Sequence, residues 1–595
     1  MKFQIYVNDR NYSHWEFKNV HNEDIIDIEE YPILKTINPL SSKMFSRDII
    51  KFDENDNLII DKSIIKTTDT IAGVLVLEDN KTYGRVSNNK RLLYKCIPDD
   101  KYLPTFLIPY DIKIGFQKKM LNKYVIFKYD HWNEKHPRGI LLNVLGNVDS
   151  LEVFYEYQLY CKSLHVSLKD FTSKTRTILN KIPHDVYINQ IMNNSNFNIE
   201  DRCDRRIITI DPSNTLDFDD AFGIEPIYEN DDQVGWEISI YIANVFLWLE
   251  TLELWDTFSH RVSTIYLPDR KRPMLPTVLS DTLCSLQQDN KRFAFAFDIK
   301  VDNNGNIINN NFTYKNVLIQ VHKNYRYEET SLIYNEVIYS KLYDITHIMD
   351  KRVITSHDVV SYWMVMMNAA TGIKLLNSKI GIFRSVISKK DNEVSIDNYN
   401  LSDNAKRAIK NWNNVSGYYI NYNEEAIINH NLIDVTPLAL FKSRHKDITP
   451  YIHITSPIRR LIDLLNQILL FQEYDIVNKI SPSAKHFLSE WINKLDYVNI
   501  SMRSIKKIQH ECALLYSCMN NPKYLNDIHN GVVFDKIRRI NGSYNYTVYL
   551  EELNIISRIT THFDVENYSK NRFKMFLFKG EDHIKKKIKL QILIE

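Results

Sequence analysis

One stretch, ITIDPSNTLDFDDAFGIE at 208–225, constrains this chain more than any other. It crowds four carboxylates, Asp211, Asp217, Asp219 and Asp220, into ten residues and sets them between apolar runs. Carboxylates this close repel one another, and each makes its neighbour harder to ionise. A fold that accepts them must neutralise them, and hard cations with a preference for oxygen do so well. Ile207–Ile210 reads as a strand and Pro212 ends its regular pairing, so Asp211 is expected at a strand end. Two Mg²⁺ ions about 4 Å apart would there clamp the attacking and leaving oxygens of a phosphoryl group.

Other uses of such a run are weaker. A calcium loop starting at Asp217 needs Asp or Asn at 221 and Gly at 222, but the chain has Ala221 and Phe222. A solvated acidic turn is the usual fate of an Asp run, yet apolar residues flank this one on both sides. An Asp-x-Asp metal motif of a sugar-nucleotide enzyme is too short to argue from. Metal-dependent phosphoryl chemistry is the reading the cluster favours.

The cluster opens a long mixed α/β region, and β-rich segments lie on both sides. Residues 1–65 give short apolar runs and turns, and 66–165 give IAGVLVL, RLLYKCI, TFLIPYDI, KYVIFKYDHW and GILLNVLG, strands at the spacing of a small barrel. Residues 166–200 read as a polar connector, and 525–595 return to short strands such as GVVFDKI, NYTVYLEEL and KIKLQILIE. Lys118, Lys119, Lys123 and Lys128 interleave with Phe116, Tyr124, Phe127, Tyr129 and Trp132. This suits single-stranded nucleic acid, and equally a solvated sheet face whose rings pack inward. Net charge is +1 over 595 residues, so nucleic-acid binding must use local patches. Residues 501–595 hold 16 Lys/Arg and 10 Asp/Glu, a local excess of +6. The six Cys form no Cys-x-x-Cys pair, the start has no apolar signal core, and no uninterrupted apolar run nears the ~18 residues of a membrane span. The chain is expected to be soluble and cytoplasmic, with a nuclear location also open, and reduced, with no membrane partner.

The carboxylate run resembles the signature of the RNB family, which includes ribonuclease II, ribonuclease R and the catalytic subunit of the eukaryotic exosome. Arg202-x-Asp204-x-Arg206 is similar to the lead-in of that family's nuclease domain. STIYLPDRKRPMLPTVLSDTLCSL at 263–286 and YIHITSPIRRLIDLLNQ at 451–467 resemble two further family stretches, in the same order and spacing. The resemblance is close over about 200–520 and looser in the flanks, which are similar to the family's OB-type barrels. It implies a multidomain fold: a β-rich segment at 1–65 compatible with a degenerate cold-shock-type barrel, a cold-shock-type OB barrel at 66–165, a connector at 166–200, an α/β RNB catalytic domain at 201–522, and a C-terminal OB-type RNA-binding barrel at 525–595. It further implies a monomeric, processive 3′→5′ exoribonuclease. Such an enzyme hydrolyses single-stranded RNA to nucleoside 5′-monophosphates with two Mg²⁺, for which Mn²⁺ substitutes.

Carried over residue by residue, Asp211, Asp217, Asp219 and Asp220 match the family's metal ligands, and Asp220 the one tied most closely to the chemical step. Tyr266 matches an aromatic that stacks on bases near the 3′ end, Tyr327 a Tyr near the scissile phosphate, and Arg459 an Arg on that phosphate. Glu511, in IQHEC, aligns with a family Glu on a late helix. Arg459 also has a reading of its own. Ser456 suits an N-cap and Pro457 a first helical position, so Arg459 would fall in a first turn that favours anions. The plain alternative is a surface pair with Asp463 at i,i+4; for Tyr266 and Tyr327 it is core packing.

The chain also departs from the family. YIANV at 241–245 replaces a His-Ile-Ala-Asp-Val-like run at Tyr241 and Asn244, and the Gly-Ser that commonly follows is replaced near Thr251 and Leu252. FRSVISKK at 383–390 keeps Arg384 but lacks the usual His and acidic pair in Val386–Lys389. No segment matches the family's N-terminal endonuclease domain. The rivals to an exoribonuclease are a catalytically weak RNA-binding protein that keeps the fold and a single-strand DNA nuclease.

Overall fold

Alternating apolar and polar side chains make antiparallel sheets that bury one face, and the N-terminal part of the chain obeys this. Phe3, Ile5 and Val7 turn inward from the strand Lys2–Val7 while Lys2 stays exposed. The computed structural model of the chain describes all residues except 1, 23, 56, 79, 87–90, 113–119, 386–398, 415–416, 424–449, 540, 581–585 and 594–595. It divides into two compact units. One comprises Met1–His165, Leu267–Asp269 and Lys506–Glu595, the other Val166–Tyr266 and Arg270–Ile505.

The first unit holds three sheets. A four-stranded antiparallel sheet runs in the order Trp15–Asn19, Lys2–Val7, Ile49–Phe52, Leu58–Lys62. A five-stranded sheet runs Phe106–Tyr110, Leu92–Pro98, Ile71–Leu75, Lys123–Tyr129, Gly139–Asn147, and a bridge from Leu107 to Arg138 brings its two edges together as a barrel. Phe3 and Phe17 from the first sheet share one apolar core with Ile71, Phe106 and Phe127 from the second and with Phe45 and Trp132 from the adjoining loops. Tyr124 is buried as well, whereas Lys128 is exposed. Of the two readings of the lysine–aromatic stretch, the described residues therefore show rings packed inward; Phe116, Lys118 and Lys119 lie outside the described residues. The third sheet runs Ile555–Thr561, Tyr544–Leu550, Ile528–Arg538, Lys570–Lys579, Lys586–Leu593. Val533, Tyr546, Val548 and Phe573 form its core, joined by Leu514 and Cys518 from the long helix Leu495–Asn520.

The second unit is built on a seven-stranded sheet in the order Ile199–Asp201, Ile307–Gln320, Lys291–Asp302, Asp232–Ala243, Asp220–Glu229, Ile208–Asp211, Lys323–Arg326. The outermost pairs are parallel and those between antiparallel. Arg292–Ile299 is buried on both faces, which demands cover on both sides. Among the described residues, Ser356–Asn377 is the one helix long and apolar enough to cross a membrane, but 67% of its most apolar window is buried. It behaves as a core helix, started by a capping box between Thr355 and Asp358. Gly372 lets that helix approach the chain closely: a Cβ there would lie 2.8 Å from the Pro450 carbonyl oxygen.

Buried charges in this sheet are paired, as they must be to avoid a desolvation penalty. Arg202 donates two 2.8 Å bonds to Asp298 and a 2.7 Å bond to Glu200. Arg206 donates two 3.0 Å bonds to Glu336, which also accepts from the Tyr325 hydroxyl at 2.7 Å. Two arginines of the lead-in motif thus serve the frame. So do the substituted positions that follow. The Tyr241 ring sits under the Arg202 guanidinium and 3.2 Å from where a Cβ on Gly223 would be. Asn244 caps the helix Val245–Thr251 and donates to Asn316 at 2.8 Å. Leu252 is buried.

Candidate active site

Topology brings Asp211 and Tyr327 together. The strands Ile208–Asp211 and Lys323–Arg326 run parallel, so both chains leave the sheet at the same edge. The Tyr327 N–H donates to the Asp211 carbonyl at 3.0 Å. The neighbouring strand is antiparallel, with Ile208 opposite Phe222, so its first residue, Asp220, returns to that edge. Asp211 stands at its strand end, as expected.

The loop between them is held by the other two motifs. The Ser285 hydroxyl donates to the Leu216 carbonyl at 2.8 Å and accepts from the Phe218 N–H at 3.0 Å; the Leu286 N–H binds the Phe218 carbonyl at 3.0 Å. From the third motif, the Ile458 N–H meets Asp219 Oδ1 at 3.0 Å and Arg459 Nε meets Oδ2 at 3.0 Å. The Ser263 hydroxyl and the Thr264 N–H bind the Arg459 carbonyl at 2.8 and 3.0 Å, so the second and third motifs hold each other.

The helix expected from Ser456 begins later. It runs Leu461–Glu473, and Arg460 at its N-cap is extended. Ser456–Arg459 instead forms a separate turn, with the Arg460 N–H bound to the Ser456 carbonyl at 3.0 Å. Two competing bonds hold that turn open. Asp463 Oδ1 accepts from the Ser456 N–H at 2.8 Å, and the Arg460 guanidinium pairs with Asp463 at 2.9 Å. The alternative Arg459–Asp463 pair is not formed; Arg460 pairs with Asp463 instead. Arg459 turns to Asp219, with Nη2 on the Ser456 hydroxyl at 2.9 Å and the side chain 42% exposed.

The four carboxylates do not close on one point. Among the described residues, no three His, Cys, Asp or Glu side chains form a ready-made metal cage. The reason is how each carboxylate is met. Asp217 is taken up by Lys271 Nζ at 2.8 Å and the Tyr266 hydroxyl at 3.3 Å. Asp219 is taken up by Ile458 and Arg459, and burial still pushes its carboxyl up to about 7, with Arg459 opposing. Asp211 and Asp220 meet cations only at longer range. Burial pushes Asp220 up to about 6, relieved by Arg459 and Arg460. Burial and then Asp220 push Asp211 well above the usual carboxylate range. Asp211 Oδ2 is shut from solvent with no hydrogen-bond partner among the described residues.

That orphaned oxygen beside a second carboxylate suits a hard divalent ion. Mg²⁺ commonly takes one or two carboxylates and fills its other positions with water and phosphate.

The aromatic residues divide. Tyr266 is 43% exposed and lies opposite Lys271 in a two-stranded ribbon, so it is no core residue. Tyr327 is half-buried and stacks flat on His357, with centroids 3.6 Å apart and planes at 12°. Burial and then Asp220 and Asp211 raise its hydroxyl pKa. Glu511 belongs to the other unit and pairs there with Lys587 at 3.3 Å. Arg384 sits beside His453, with Nη1 3.5 Å from Nε2, and Val386–Lys389 lie outside the described residues. Sequence reasoning missed Lys271, Asp281, Ser285 and His357. Each is brought in by tertiary folding, and only Lys271, Asp281 and Ser285 fall inside a quoted motif.

A model of the RNB domain matches residues 199–342 and 336–474, the stretch that contains this entire carboxylate edge. Residues 199–474 carry an RNB domain. Exoribonuclease 2 of Glaesserella parasuis serovar 5 (strain SH0165) is 36% identical over 125 residues, 20% of this chain and 19% of the relative. The human exosome complex exonuclease RRP44 is 24% identical over 308 residues, 49% of this chain and 30% of the relative. The chain thus spans less than a third of the length of these curated relatives. Among solved structures, Mycoplasma genitalium RNase R in complex with ribose methylated single-stranded RNA has a TM-score of 0.66 at 16% identity, covering 100% of both chains. Yeast Ssd1, a pseudonuclease, has a TM-score of 0.52 at 12% identity, covering 96% of this chain and 80% of that one. These likenesses establish the fold: an α/β RNB domain with small OB-type β-barrels on either side.

Proposed function

We propose that this chain, which carries an RNB domain, is a Mg²⁺-dependent 3′→5′ exoribonuclease that hydrolyses single-stranded RNA to nucleoside 5′-monophosphates. The observation that carries this reading is Asp211. Its Oδ2 is buried without a donor among the described residues, and the Asp220 carboxylate acts on it. Those two carboxylates would hold the ion, Mg²⁺ or Mn²⁺, which when bound supplies positive charge at the phosphate and acidifies a water.

The chain's own groups do the rest. Arg459 is fixed by Asp219 and Ser456 yet half-exposed, so its guanidinium meets a phosphate oxygen without having to reorient. Asp219 acts through Arg459 by holding it. Tyr327, braced by His357, closes the side next to Asp211. Tyr266 offers its ring to a base, and stacking accepts any base, which suits single strands of any sequence.

Incubation of the full chain with 5′-labelled RNA and Mg²⁺, then with EDTA, tests the reading. A ladder of shortening 5′ fragments that EDTA abolishes is expected. Intact RNA that nonetheless shifts on a gel would favour the RNA-binding alternative, and equal cleavage of labelled DNA would favour a single-strand DNA nuclease.

A further inference from the structure

Tyr266 and Lys271 face each other across the two-stranded ribbon Ile265–Tyr266 and Lys271–Arg272, and both reach the same carboxylate. Lys271 Nζ lies 2.8 Å from Asp217 Oδ1 and 2.9 Å from Asp281 Oδ1, and the Tyr266 hydroxyl lies 3.3 Å from Asp217 Oδ2. The Asp217 side chain is only 8% exposed and that of Lys271 22%. This is a shielded ion pair, less open to solvent than the surface pairs that contribute little. Two hydrogen bonds, to Asp217 and Asp281, hold the ammonium in place. The ammonium is tied on two sides, so it is a fixed part of the site.

We propose that Lys271 is a resident cation that occupies Asp217 and thereby confines divalent-ion binding to a single site at Asp211 and Asp220. A second divalent ion bridging Asp217 and Asp219 would have to displace Lys271 from one carboxylate and Arg459 from the other. It would also sit close to both positive charges. Like charges held a few ångströms apart in a partly shielded site repel strongly. Asp211 and Asp220 raise a lower barrier, since Oδ2 of Asp211 has no hydrogen-bond partner among the described residues and Arg459 and Arg460 bond Asp219 and Asp463 instead. The two-ion expectation drawn from the carboxylate run is replaced by one ion plus one ammonium. Lys271 is then a positioning residue: it holds the Asp217 carboxylate and, through it, the place of the Tyr266 hydroxyl. The inference rests on the proposed metal role of the cluster, but it concerns ion number and is read without RNA.

The test is Mn²⁺ stoichiometry on the purified full-length chain, by calorimetric titration and by the loss of free-Mn²⁺ resonance signal. The parent should bind one Mn²⁺ that Asp220→Asn loses. Lys271→Gln keeps a hydrogen-bond donor but loses the charge, and should gain a second Mn²⁺. Lys271→Gln/Asp217→Asn should lose that second ion again, and Lys271→Arg should stay at one. Should Lys271→Gln fail to fold, Lys271→Met is read in the same way. A parent with two sites sensitive to Asp217→Asn and Asp220→Asn overturns the inference. So does a neutral residue at 271 that adds no ion. Failure of the RNA-degradation assay with these counts intact would overturn the exoribonuclease reading and leave Lys271 as the resident cation.

Discussion

Asp220→Asn removes one charge from a buried carboxylate and barely changes its volume. Cleavage should fall by roughly 10²–10³-fold or more, the scale at which loss of one group acting on developing charge is felt. RNA affinity should stay within a few-fold, because the proposed role places the residue at the reacting phosphate and not along the length of the strand. Gel-shift and single-turnover cleavage on the same RNA check this; a parallel loss of both would make Asp220 a residue of the frame. Tyr266 gives a second expectation. Its ring is 43% exposed, and a stacked base contributes about 1–3 kcal/mol per ring in other single-strand binders. Tyr266→Ala should therefore release longer limit products from a homopolymer RNA. Tyr266→Phe keeps the ring and loses only the long 3.3 Å bond to Asp217, so its products should be much closer to the parent's. If Phe is as damaging as Ala, the hydroxyl and not the ring is what matters.

At the scale of elements, the turn before the strand Ile49–Phe52 holds a buried liability. Asp48 is fully buried, accepts from the Phe45 N–H at 2.9 Å, and is pushed up by burial from 3.8 to about 6. The folded chain therefore keeps a proton that the unfolded chain has lost between those two values. Stability attributable to this group is fully present below the unfolded value and falls as pH rises through the window. The cost is complete above the folded value. With ~1.4 kcal/mol per pKa unit, that cost is about 3 kcal/mol at pH 7. Asp48→Asn keeps an acceptor for Phe45 and should raise the thermal or exchange stability of its own unit at pH 7. Its advantage over the parent should shrink toward zero at pH 4. An advantage independent of pH would assign the effect to packing.

Over the whole molecule, the local +6 of residues 501–595 acquires a surface. Arg572, Lys574, Phe576 and Phe578 alternate along the exposed face of the strand Lys570–Lys579, and Lys589 Nζ lies 3.8 Å over the Phe578 ring. Cations beside exposed rings suit a single strand. Deleting 525–595 would also strip the cover from Leu514 and Cys518, so charge reversal is the cleaner probe. Arg572→Glu/Lys574→Glu should weaken RNA binding and lower the salt slope by about 1.4, since each phosphate contact on a single strand contributes about 0.7. Cleavage of a short RNA already seated in the site should be spared. An unchanged slope would show that this face does not touch RNA.

Much of this was legible along the chain. Alternation predicts the flanking sheets, Pro212 places Asp211 at a strand end, and three ordered motifs identify the RNB domain, because period and spacing are local properties. The helix start was not legible: Ser456 and Pro457 form a good local signal, but buried Asp463 takes the Ser456 N–H and the helix begins at Leu461. Nor was the fate of each carboxylate. Asp217 meets a cation 54 residues away and Asp219 one 240 residues away, while Asp211 and Asp220 meet none so closely. The sequence by itself determined that four carboxylates crowd into ten residues, the first at a strand end, and must be neutralised. Only the tertiary structure decided which of them protein cations bond directly and which they do not, because electrostatic energy depends on distance through space and on burial, and the order of residues along the chain specifies neither.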